Sequence, residues 1–287
     1  MTPPTTPTFG QRLRAATAQH GPLCAGIDPH RALLASWGLG HDLDGLRAFT
    51  SACVEAFGGH VAVVKPQSAF FEVFGSPGVA VLEGAITELR ERGTVVLLDA
   101  KRGDIGTTMD AYGQAFLGKD AVDPPDAMTL SPYLGYGSLR PAIDLAEQNG
   151  RGVFVLALTS NPEGAQVQHA VHEHRSVAGS VVDGAAADNA AARARGELGH
   201  VGLVVGATVG TAVQDLGLDL AAMGGPILAP GVGAQGGTAD DLKRVFGNAL
   251  PHVLPASSRE VLSAGPDVRA LRARAARSNE AVAALLA

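Results

Sequence analysis

Thr94–Thr108, TVVLLDAKRGDIGTT, decides the fold of this chain, because an apolar run in it ends abruptly in charge. The run Thr94–Leu98 is apolar or β-branched on both faces, which is typical of a strand buried in a parallel sheet. Charges begin where this strand should end, at Asp99, Lys101 and Asp104. Alternation along a strand predicts that Asp99 and Lys101 share one face. Buried charge is costly unless it is paired or used. The cluster is therefore a structural ion pair or an active site, and we favour the active site.

Short apolar runs alternate with helical segments along the whole chain. The eight strand-like runs are Pro22–Asp28, Val61–Gln67, Thr94–Lys101, Ala127–Pro132, Gly152–Ser160, His200–Thr208, Pro226–Gly231 and His252–Ser257. This alternation predicts parallel pairing, and eight units in 287 residues fit a (β/α)8 TIM barrel. A doubly wound open sheet is the alternative. Polar residues collect at the carboxyl ends of the runs, where barrels carry their active sites, and this favours the barrel.

Helical periodicity fills the intervals between the strand-like runs. The predicted helices are Phe9–His20, Asp42–Gly58, Val79–Arg92, Tyr112–Gly118, Leu139–Asn149 and an Ala-rich stretch from Ala170 to Arg195. The composition does not change along the chain. We therefore expect residues 1–8 to form a flexible tail and residues 9–287 to form a single barrel domain.

Composition limits the classes of partner. The net charge is −6, aromatic residues make up 5%, and no block of Lys or Arg occurs, so neither nucleic acid nor a membrane surface is the expected partner. A small anionic ligand stays possible, since local field outweighs net charge. The two cysteines, Cys24 and Cys53, are too few for a disulfide framework. Cys24 lies in an apolar strand-like run, which predicts a buried, reduced thiol and a reducing compartment. Residues 1–8 lack the features of a signal peptide, and no apolar run reaches membrane-spanning length, so a cytoplasmic location is expected.

Four charged residues stand at or just past the ends of neighbouring runs: Lys65, Asp99, Lys101 and Asp104. In a barrel, adjacent strands bring the first three within reach of one another. Alternating cations and anions keep each other ionised in a site that excludes water. A lysine held cationic in this way can donate a proton to a developing carbanion, and the fixed charges stabilise that carbanion. Taken alone, Lys65 is equally well interpreted as a surface lysine.

The stretch Pro230–Gly237, PGVGAQGG, predicts a phosphate site. Its literal GxGxxG pattern is formed by Gly231, Gly233 and Gly236. A dinucleotide-binding motif should follow the first strand of a βαβ unit, whereas this one follows the seventh run. A Gly-rich loop at that place in a barrel suits phosphate, to which Gln235 and Arg259 can add donors. The alternative is a flexible Gly-rich connection.

Two further motifs are interpreted as structural. The histidines of HAVHEH, His169, His172 and His174, match no compact zinc signature and are expected on a solvated helix surface, so no metal site is predicted. Tyr133 and Tyr136 in SPYLGYG are expected to pack within a loop.

These motifs together resemble the orotidine 5′-phosphate decarboxylase family. Residues 99–108 fit its DxKxxDIxxT signature, and VVKPQSAFFE, LTSNPEG, GAT, PGVGAQGG and SSRE are similar to its longer bacterial (type 2) subgroup. The likeness runs from Asp28 to about Asp267. It implies a barrel homodimer that removes CO2 from orotidine 5′-monophosphate to give UMP, a step of pyrimidine biosynthesis, with no cofactor and no metal.

The resemblance also implies roles for the charged cluster. Lys101 would protonate C6 of the pyrimidine, and Asp99 would lie beside the leaving carboxylate. Lys65 would hold the network and contact the ribose. Asp104 would complete the charge array of the partner subunit's site, so that each active site is shared across the dimer interface.

The remaining implied roles concern binding. Asp28 would bind a ribose hydroxyl, and Ile105 and Thr108 would reach into the partner's site. Ser160 would contact the pyrimidine, with the neighbouring Thr159 as the alternative. The phosphate would be held by Gln235 and Arg259 within the loop that contains Gly233 and Gly236.

Three other functions stay open at this point. A DxKxxD barrel acting on sugar phosphates with Mg²⁺ would have an acidic ligand where this chain has Lys65. A Schiff-base aldolase would use Lys65 or Lys101 as its nucleophile. A barrel that binds a nucleotide without catalysis would keep the phosphate site alone.

Overall fold

Eight parallel strands close into a barrel in the computed structural model, which describes residues 7–232 and 238–286. The barrel strands are β1 (Cys24–Ile27), β2 (Val63–Pro66), β3 (Val95–Arg102), β4 (Ala127–Leu130), β5 (Gly152–Leu158), β8 (Val201–Val205), β9 (Ile227–Pro230) and β10 (Val253–Ser257). Their order around the barrel is β1-β10-β9-β8-β5-β4-β3-β2. Seven of the predicted runs contain one of these strands in full, and β3 extends one residue past the predicted run Thr94–Lys101. The (β/α)8 TIM barrel is confirmed, and the open sheet is wrong.

Helices connect the strands on the outside of the barrel. They are α1 (Phe9–His20), α2 (Arg31–Ser36), α3 (Leu43–Phe57), α4 (Ala69–Glu72), α5 (Gly75–Glu91), α6 (Gly106–Leu117), α7 (Arg140–Gln148), α8 (Gly164–Gln168), α9 (Val177–Asp188), α10 (Ala190–Ala194), α11 (Ala212–Asp215), α12 (Leu220–Met223), α13 (Ala239–Phe246), α14 (Arg259–Leu262) and α15 (Val268–Leu286). Short 3-10 turns cover Tyr136–Leu139 and Gly247–His252. Within the described residues, no helix is both long enough and apolar enough to cross a membrane.

Local side-chain caps explain where the first predicted helices begin. The Thr8 hydroxyl accepts from the backbone N–H of Gln11, and the Gln11 side chain accepts from the Thr8 N–H, which forms a capping box at the start of α1. The Asp42 carboxylate accepts from the N–H of Gly45 in the same way at the start of α3. Thr8 is thus tied to the barrel domain, while residues 1–6 of the predicted tail lie outside the described residues.

The prediction of one helix-prone stretch from Ala170 to Arg195 is wrong at its start. Two short strands, β6 (Val171–His172) and β7 (Arg175–Ser176), form an antiparallel hairpin there, and α9 and α10 follow it. Glu173 and His174 turn the hairpin with φ of +48° and +68°, a conformation that a helix cannot contain.

The histidines of HAVHEH therefore lie around this hairpin rather than on a helix. His169 ends α8, His172 lies in β6, and His174 lies in the turn. All three are exposed to solvent, as we expected, but the helix surface predicted for them is not found. Among the described residues, no group of three His, Cys, Asp or Glu side chains is arranged to hold a metal ion.

Two smaller expectations also change. The helix predicted at Tyr112–Gly118 begins earlier, at Gly106, and so starts immediately after the charged segment of β3. Of the two loop tyrosines, Tyr136 packs as expected and donates to Asp188 Oδ2 over 2.5 Å. Tyr133 does not pack, because 77% of its surface is exposed.

The amino-terminal mouth of the barrel is closed by apolar side chains of α1. Phe9, Leu13 and Ala16 belong to the same buried cluster as the inward-facing strand residues. The ring of Phe9 meets that of Phe154 edge to face, with centroids 6.2 Å apart. Gly152 allows this contact, since a Cβ there would lie 2.4 Å from the Phe9 ring. The barrel interior is thus a dry core at its amino-terminal end.

Helix α15 is hydrogen-bonded to the segment that leads into β1. The Asn279 side chain in α15 accepts from the N–H of Leu23 over 3.0 Å and donates to the carbonyl of His20 over 2.9 Å. Gly21 leaves room for this amide, since a Cβ there would lie 2.2 Å from it. The chain ends are joined by these bonds and by pairing of β1 with β10.

Candidate active site

The carboxyl ends of β2 and β3 bring Lys65, Asp99 and Lys101 into one ion-paired cluster. Lys65 Nζ lies 2.9 Å from Asp99 Oδ2, and Lys101 Nζ lies 2.6 Å from Asp99 Oδ1. The pairing predicted from strand alternation is therefore present. One carboxylate lies between two ammonium groups, with a separate oxygen for each.

A bulge in β3 sets this geometry. Leu98 pairs with Met128 and Arg102 pairs with Leu130, so three residues of β3 lie opposite the single residue between Met128 and Leu130. Lys101 has φ of +48°, a left-handed conformation that costs about 1 kcal/mol or more outside glycine. Simple alternation is thus broken, although the side chains of Asp99 and Lys101 still meet.

Thr129 of β4 occupies the position opposite the bulge. Its hydroxyl donates to Asp99 Oδ1 over 2.9 Å and accepts from the backbone N–H of Lys101 over 2.9 Å. Thr129 is 1% exposed, so neither bond is shared with bulk solvent. Our sequence analysis missed this residue, because a threonine inside an apolar strand gives no signal of its own.

Asp99 receives a further donor from Gln67, the residue that follows β2. The Gln67 amide satisfies its neighbours when its nitrogen faces Asp99, and it then donates to the Asp99 carbonyl over 2.5 Å and reaches Oδ2 at 3.3 Å. Burial raises the pKa of the Asp99 carboxyl, but the charges of Lys65 and Lys101 outweigh that effect and lower the pKa to about 2. Asp99 is therefore ionised at neutral pH.

Lys65 and Lys101 differ in their access to solvent. The Lys65 side chain is 9% exposed, whereas the Lys101 side chain is 45% exposed. Burial lowers the pKa of Lys65, but the charges of Asp99 and Asp28 outweigh it and raise the pKa above its usual value. Lys65 is thus a fixed internal cation, while Lys101 lies at the mouth of the barrel.

Asp28 and Cys24 border the cluster from β1. Asp28 Oδ1 is buried and has no hydrogen-bond partner among the described residues. An unpaired buried carboxylate oxygen is costly, so this atom is available to a ligand hydroxyl. Cys24 is a free, fully buried thiol below the cluster, and burial raises its pKa to about 12. Cys53 is also free and buried.

The structure does not bring Asp104 into the cluster of its own chain. Its Oδ1 accepts from the N–H of Ile105 over 2.8 Å, and within the described ranges it forms no ion pair with Lys65 or Lys101. Ile105 is 60% exposed, and Thr108 is also exposed on the first turn of α6. Ile105 and Thr108 are thus accessible to solvent, and Asp104 is half-buried beside them.

Thr159 and Ser160 differ in their availability. The Gln168 side chain accepts from the Thr159 N–H over 2.9 Å and donates to its hydroxyl over 2.7 Å. Ser160 is exposed, and a Cβ on the facing Gly206 would lie 3.3 Å from the Ser160 Cβ. Of the two hydroxyl groups, that of Ser160 forms no hydrogen bond with a described side chain, whereas that of Thr159 is bonded to Gln168.

The predicted phosphate residues lie partly outside the described residues. Gly233, Gln235 and Gly236 fall in residues 233–237, which the structure does not describe. Arg259 is exposed at the start of α14, directly after β10. It is therefore on the same face of the barrel as Lys101.

Comparison with known proteins places the chain in a family. Residues 21–274 match the model of the orotidine 5′-phosphate decarboxylase / HUMPS family. The orotidine 5′-phosphate decarboxylase of Salinispora arenicola is 60% identical over 271 residues, which is 94% of this chain and 95% of that protein. The protein of the same name from Streptomyces coelicolor is 58% identical over the same shares of the two chains.

Solved structures agree with this assignment. A crystal structure from Streptomyces avermitilis, provisionally named as an orotidine 5′-phosphate decarboxylase, has a TM-score of 0.92 and 55% identity, and covers 100% of this chain and 98% of its own. The Leishmania donovani OMP decarboxylase has a TM-score of 0.70 at 28% identity, and covers 97% of this chain and 98% of its own. The chain therefore belongs to the orotidine 5′-phosphate decarboxylase / HUMPS family.

Proposed function

We propose that the cluster of Lys65, Asp99 and Lys101 decarboxylates orotidine 5′-monophosphate to UMP. The chain is a carboxy-lyase of pyrimidine biosynthesis, since relatives that match 94% of it at up to 60% identity are orotidine 5′-phosphate decarboxylases. The observation that supports this use of the cluster is the half-exposed ammonium of Lys101, which is paired with an ionised, buried carboxylate. A cation fixed at the barrel mouth suits a reaction that develops negative charge on carbon.

In the proposed mechanism, the bond between C6 of the pyrimidine and its carboxylate breaks, and CO2 leaves without the electron pair. The pair stays on C6 as a carbanion. The Lys101 ammonium stabilises that charge and then transfers one proton from Nζ to C6, which gives UMP. Solvent reprotonates the neutral lysine, which its 45% exposed side chain permits.

Asp99 has two effects in this mechanism. Its negative charge keeps Lys101 cationic and oriented through the 2.6 Å contact. The same charge faces the substrate carboxylate, and their repulsion is relieved as neutral CO2 forms. The low pKa of Asp99, about 2, keeps it anionic throughout.

Lys65 distinguishes this mechanism from the alternatives. Its buried ammonium is paired with one oxygen of Asp99. The Mg²⁺-dependent alternative would need an acidic metal ligand at the position of Lys65. A Schiff-base aldolase needs a neutral amine, whereas the pKa of Lys65 is raised. The charge of Lys65 therefore disfavours the Mg²⁺-dependent alternative and a Schiff base on Lys65 itself, and the borohydride experiment below tests Lys101.

We assign substrate binding to residues at the same rim. Asp28 offers its unpaired oxygen to a ribose hydroxyl, and Ser160 offers its hydroxyl to the pyrimidine. Arg259 and Gln235 hold the phosphate, with backbone N–H groups of the loop that contains Gly233 and Gly236. Binding energy from the remote phosphate is available to order the site around C6.

We also propose a homodimer in which Asp104, Ile105 and Thr108 complete the partner's site. Support comes from the exposed rim around Asp104. Ile105, Tyr133 and Leu134 are 60%, 77% and 51% exposed, and the loops that carry them meet where Gly103 packs against Ser131. Exposed apolar groups on adjoining loops favour burial against a second copy.

The decisive experiment is an ultraviolet assay of orotidine 5′-monophosphate consumption with divalent metals chelated. Full turnover under chelation is expected. Activity that is lost and then restored by Mg²⁺ would favour the metal-dependent alternative. Borohydride trapping of substrate on a lysine would favour the aldolase. UMP binding without turnover would leave only a nucleotide-binding barrel.

Subunit mixing tests the shared site separately. Asp104→Ala and Lys101→Ala subunits should each be inactive alone. A hybrid dimer contains one site with both residues, so an equimolar mixture should recover up to about a quarter of wild-type activity. Verified hybrids with no recovery would refute the shared site without affecting the decarboxylase assignment.

A further inference from the structure

We propose that Thr129 is a positioning residue of the reaction, because its hydroxyl holds both the Asp99 carboxylate and the Lys101 backbone. This inference rests on the proposed decarboxylase function. A hydroxyl has one donor and can accept as well, and here both capacities are used within 2.9 Å. Donor and acceptor roles are fixed, since an ionised carboxylate only accepts and a backbone N–H only donates.

The bulge gives Thr129 its role. The register shift between Leu98 and Arg102 removes the regular backbone acceptor that the N–H of Lys101 would meet in an unbroken ladder. The Thr129 hydroxyl replaces that acceptor and so supports the φ of +48° at Lys101. The backbone conformation that presents Lys101 to the barrel mouth is thus fixed from the neighbouring strand.

The same hydroxyl orients Asp99. Asp99 Oδ1 accepts from Lys101 Nζ and from Thr129, while Oδ2 accepts from Lys65. Without the hydroxyl, the carboxylate keeps its two ammonium partners but loses the bond that ties Oδ1 to β4, so the position of the Lys101 ammonium at the barrel mouth is less closely fixed. Small misplacements of a proton donor are costly in rate.

The test compares Thr129→Val, which keeps the shape and removes the hydroxyl, with Thr129→Ser, which keeps the hydroxyl. The matched control is Thr50→Val in α3. Thr50 is 3% exposed, and its hydroxyl has no partner among the described residues. Thr129→Val should lower kcat roughly 10- to 100-fold with little change in KM. Thr129→Ser and Thr50→Val should stay within about threefold of wild type.

The pH profile separates positioning from a purely structural role. A hydrogen bond to the charged form lowers a carboxyl pKa, so loss of the Thr129 hydroxyl should move the acid limb of kcat to higher pH. Thr129→Ser and Thr50→Val should not move it. A purely structural threonine would lower the melting temperature and leave the acid limb in place.

Three outcomes decide the proposal. Wild-type kcat and an unshifted acid limb in Thr129→Val would overturn it. If that variant does not fold, Thr129→Ala gives the same comparison. Should wild type itself fail to consume orotidine 5′-monophosphate, the function is refuted, and an NMR titration of Asp99 in the same variants still tests the hydrogen bond. An Asp99 pKa that is unchanged in Thr129→Val would then overturn the proposal.

Discussion

The two ends of the barrel interior differ in character, since the amino-terminal end is packed with apolar side chains and the carboxyl end holds ion pairs. At the amino-terminal end, Phe9 of α1 closes the barrel against Phe154 through an apolar, edge-to-face contact. At the carboxyl end, the inward positions of β2 and β3 change to Lys65, Asp99 and Lys101, with each ion held by another. Within β3, the buried apolar run from Val95 to Leu98 separates the two ends by four residues.

The residues that stabilise the fold by apolar burial therefore lie at one end of the barrel, and the charged residues of the candidate active site lie at the other. Burial of apolar surface at the closed end stabilises the fold, whereas paired buried charges contribute little net stability and are sensitive to the loss of a partner. The ion cluster and the strained Lys101 therefore depend on a rigid apolar base beneath them. Substitutions at the two ends should affect different measurements.

The largest expected effect is that of Lys101→Ala on turnover. Loss of the proton donor and of the cation beside C6 should lower kcat by at least about 10⁴-fold, while UMP binding stays measurable. The melting temperature should change little, because Asp99 keeps Lys65. Lys119→Ala, which removes an exposed lysine elsewhere, is the control. Retained turnover in Lys101→Ala would contradict the proton-donor role.

Phe9→Ala tests the closed end. Removal of this fully buried ring should lower the free energy of unfolding by about 3–5 kcal/mol, measured by urea denaturation. The folded variant should keep its kcat, since the substitution is remote from the ions. Val73→Ala, at a side chain that is 63% exposed, should cost under about 0.5 kcal/mol. A large loss of kcat in folded Phe9→Ala would show that the two ends are coupled.

Arg259→Ala should act on binding and leave the proton transfer intact. Calorimetry should show UMP affinity reduced by about 100-fold, because a charge-assisted phosphate contact is lost, and uridine affinity unchanged. Arg277→Ala, an exposed arginine of α15, should change neither affinity. If the preference for UMP over uridine is the same in Arg259→Ala, the assignment of Arg259 to the phosphate is wrong.

Acid titration of stability should show the smallest effect. The folded pKa of Asp99 is about 2, against an ordinary value of 3.8. As the pH falls, Asp99 is therefore protonated in the unfolded chain before it is protonated in the folded protein. Its contribution to the free energy of unfolding, on the order of 2 kcal/mol, is present above about pH 4 and is lost as the pH falls towards about 2. Asp99→Asn should flatten that part of the denaturation profile. An equally steep profile in Asp99→Asn would locate the acid sensitivity elsewhere.

Most of the fold could be predicted from the sequence because its signals are local. Each barrel strand contains a short run that is mostly apolar, and Thr8 and Asp42 cap their helices through contacts three residues away. The hairpin at Val171–Ser176 could not be predicted in this way. Its sequence is Ala-rich on one side only, and the turn depends on positive φ at two residues that are not glycine.

The ionic part of the site was predictable, and its supporting residues were not. Lys65, Asp99 and Lys101 are conspicuous because charge interrupts apolar runs. Thr129 and Gln67 are not, because their importance comes from a bulge that shifts one strand against the next. Such a shift is a tertiary property, and no pattern within a single strand encodes it.

The pairing between β1 and β10 has a consequence for the folding of the chain during its synthesis. The second neighbour of β1 in the barrel is β10, and the N–H of Leu23 donates to the side chain of Asn279 in α15. A ribosome releases β10 and α15 after the other seven barrel strands, so the emerging polypeptide carries an open sheet with an unpaired edge at Cys24–Ile27 until both have been synthesised. Truncation before β10 would leave that edge exposed permanently, which makes aggregation during synthesis, rather than slow turnover, its expected phenotype.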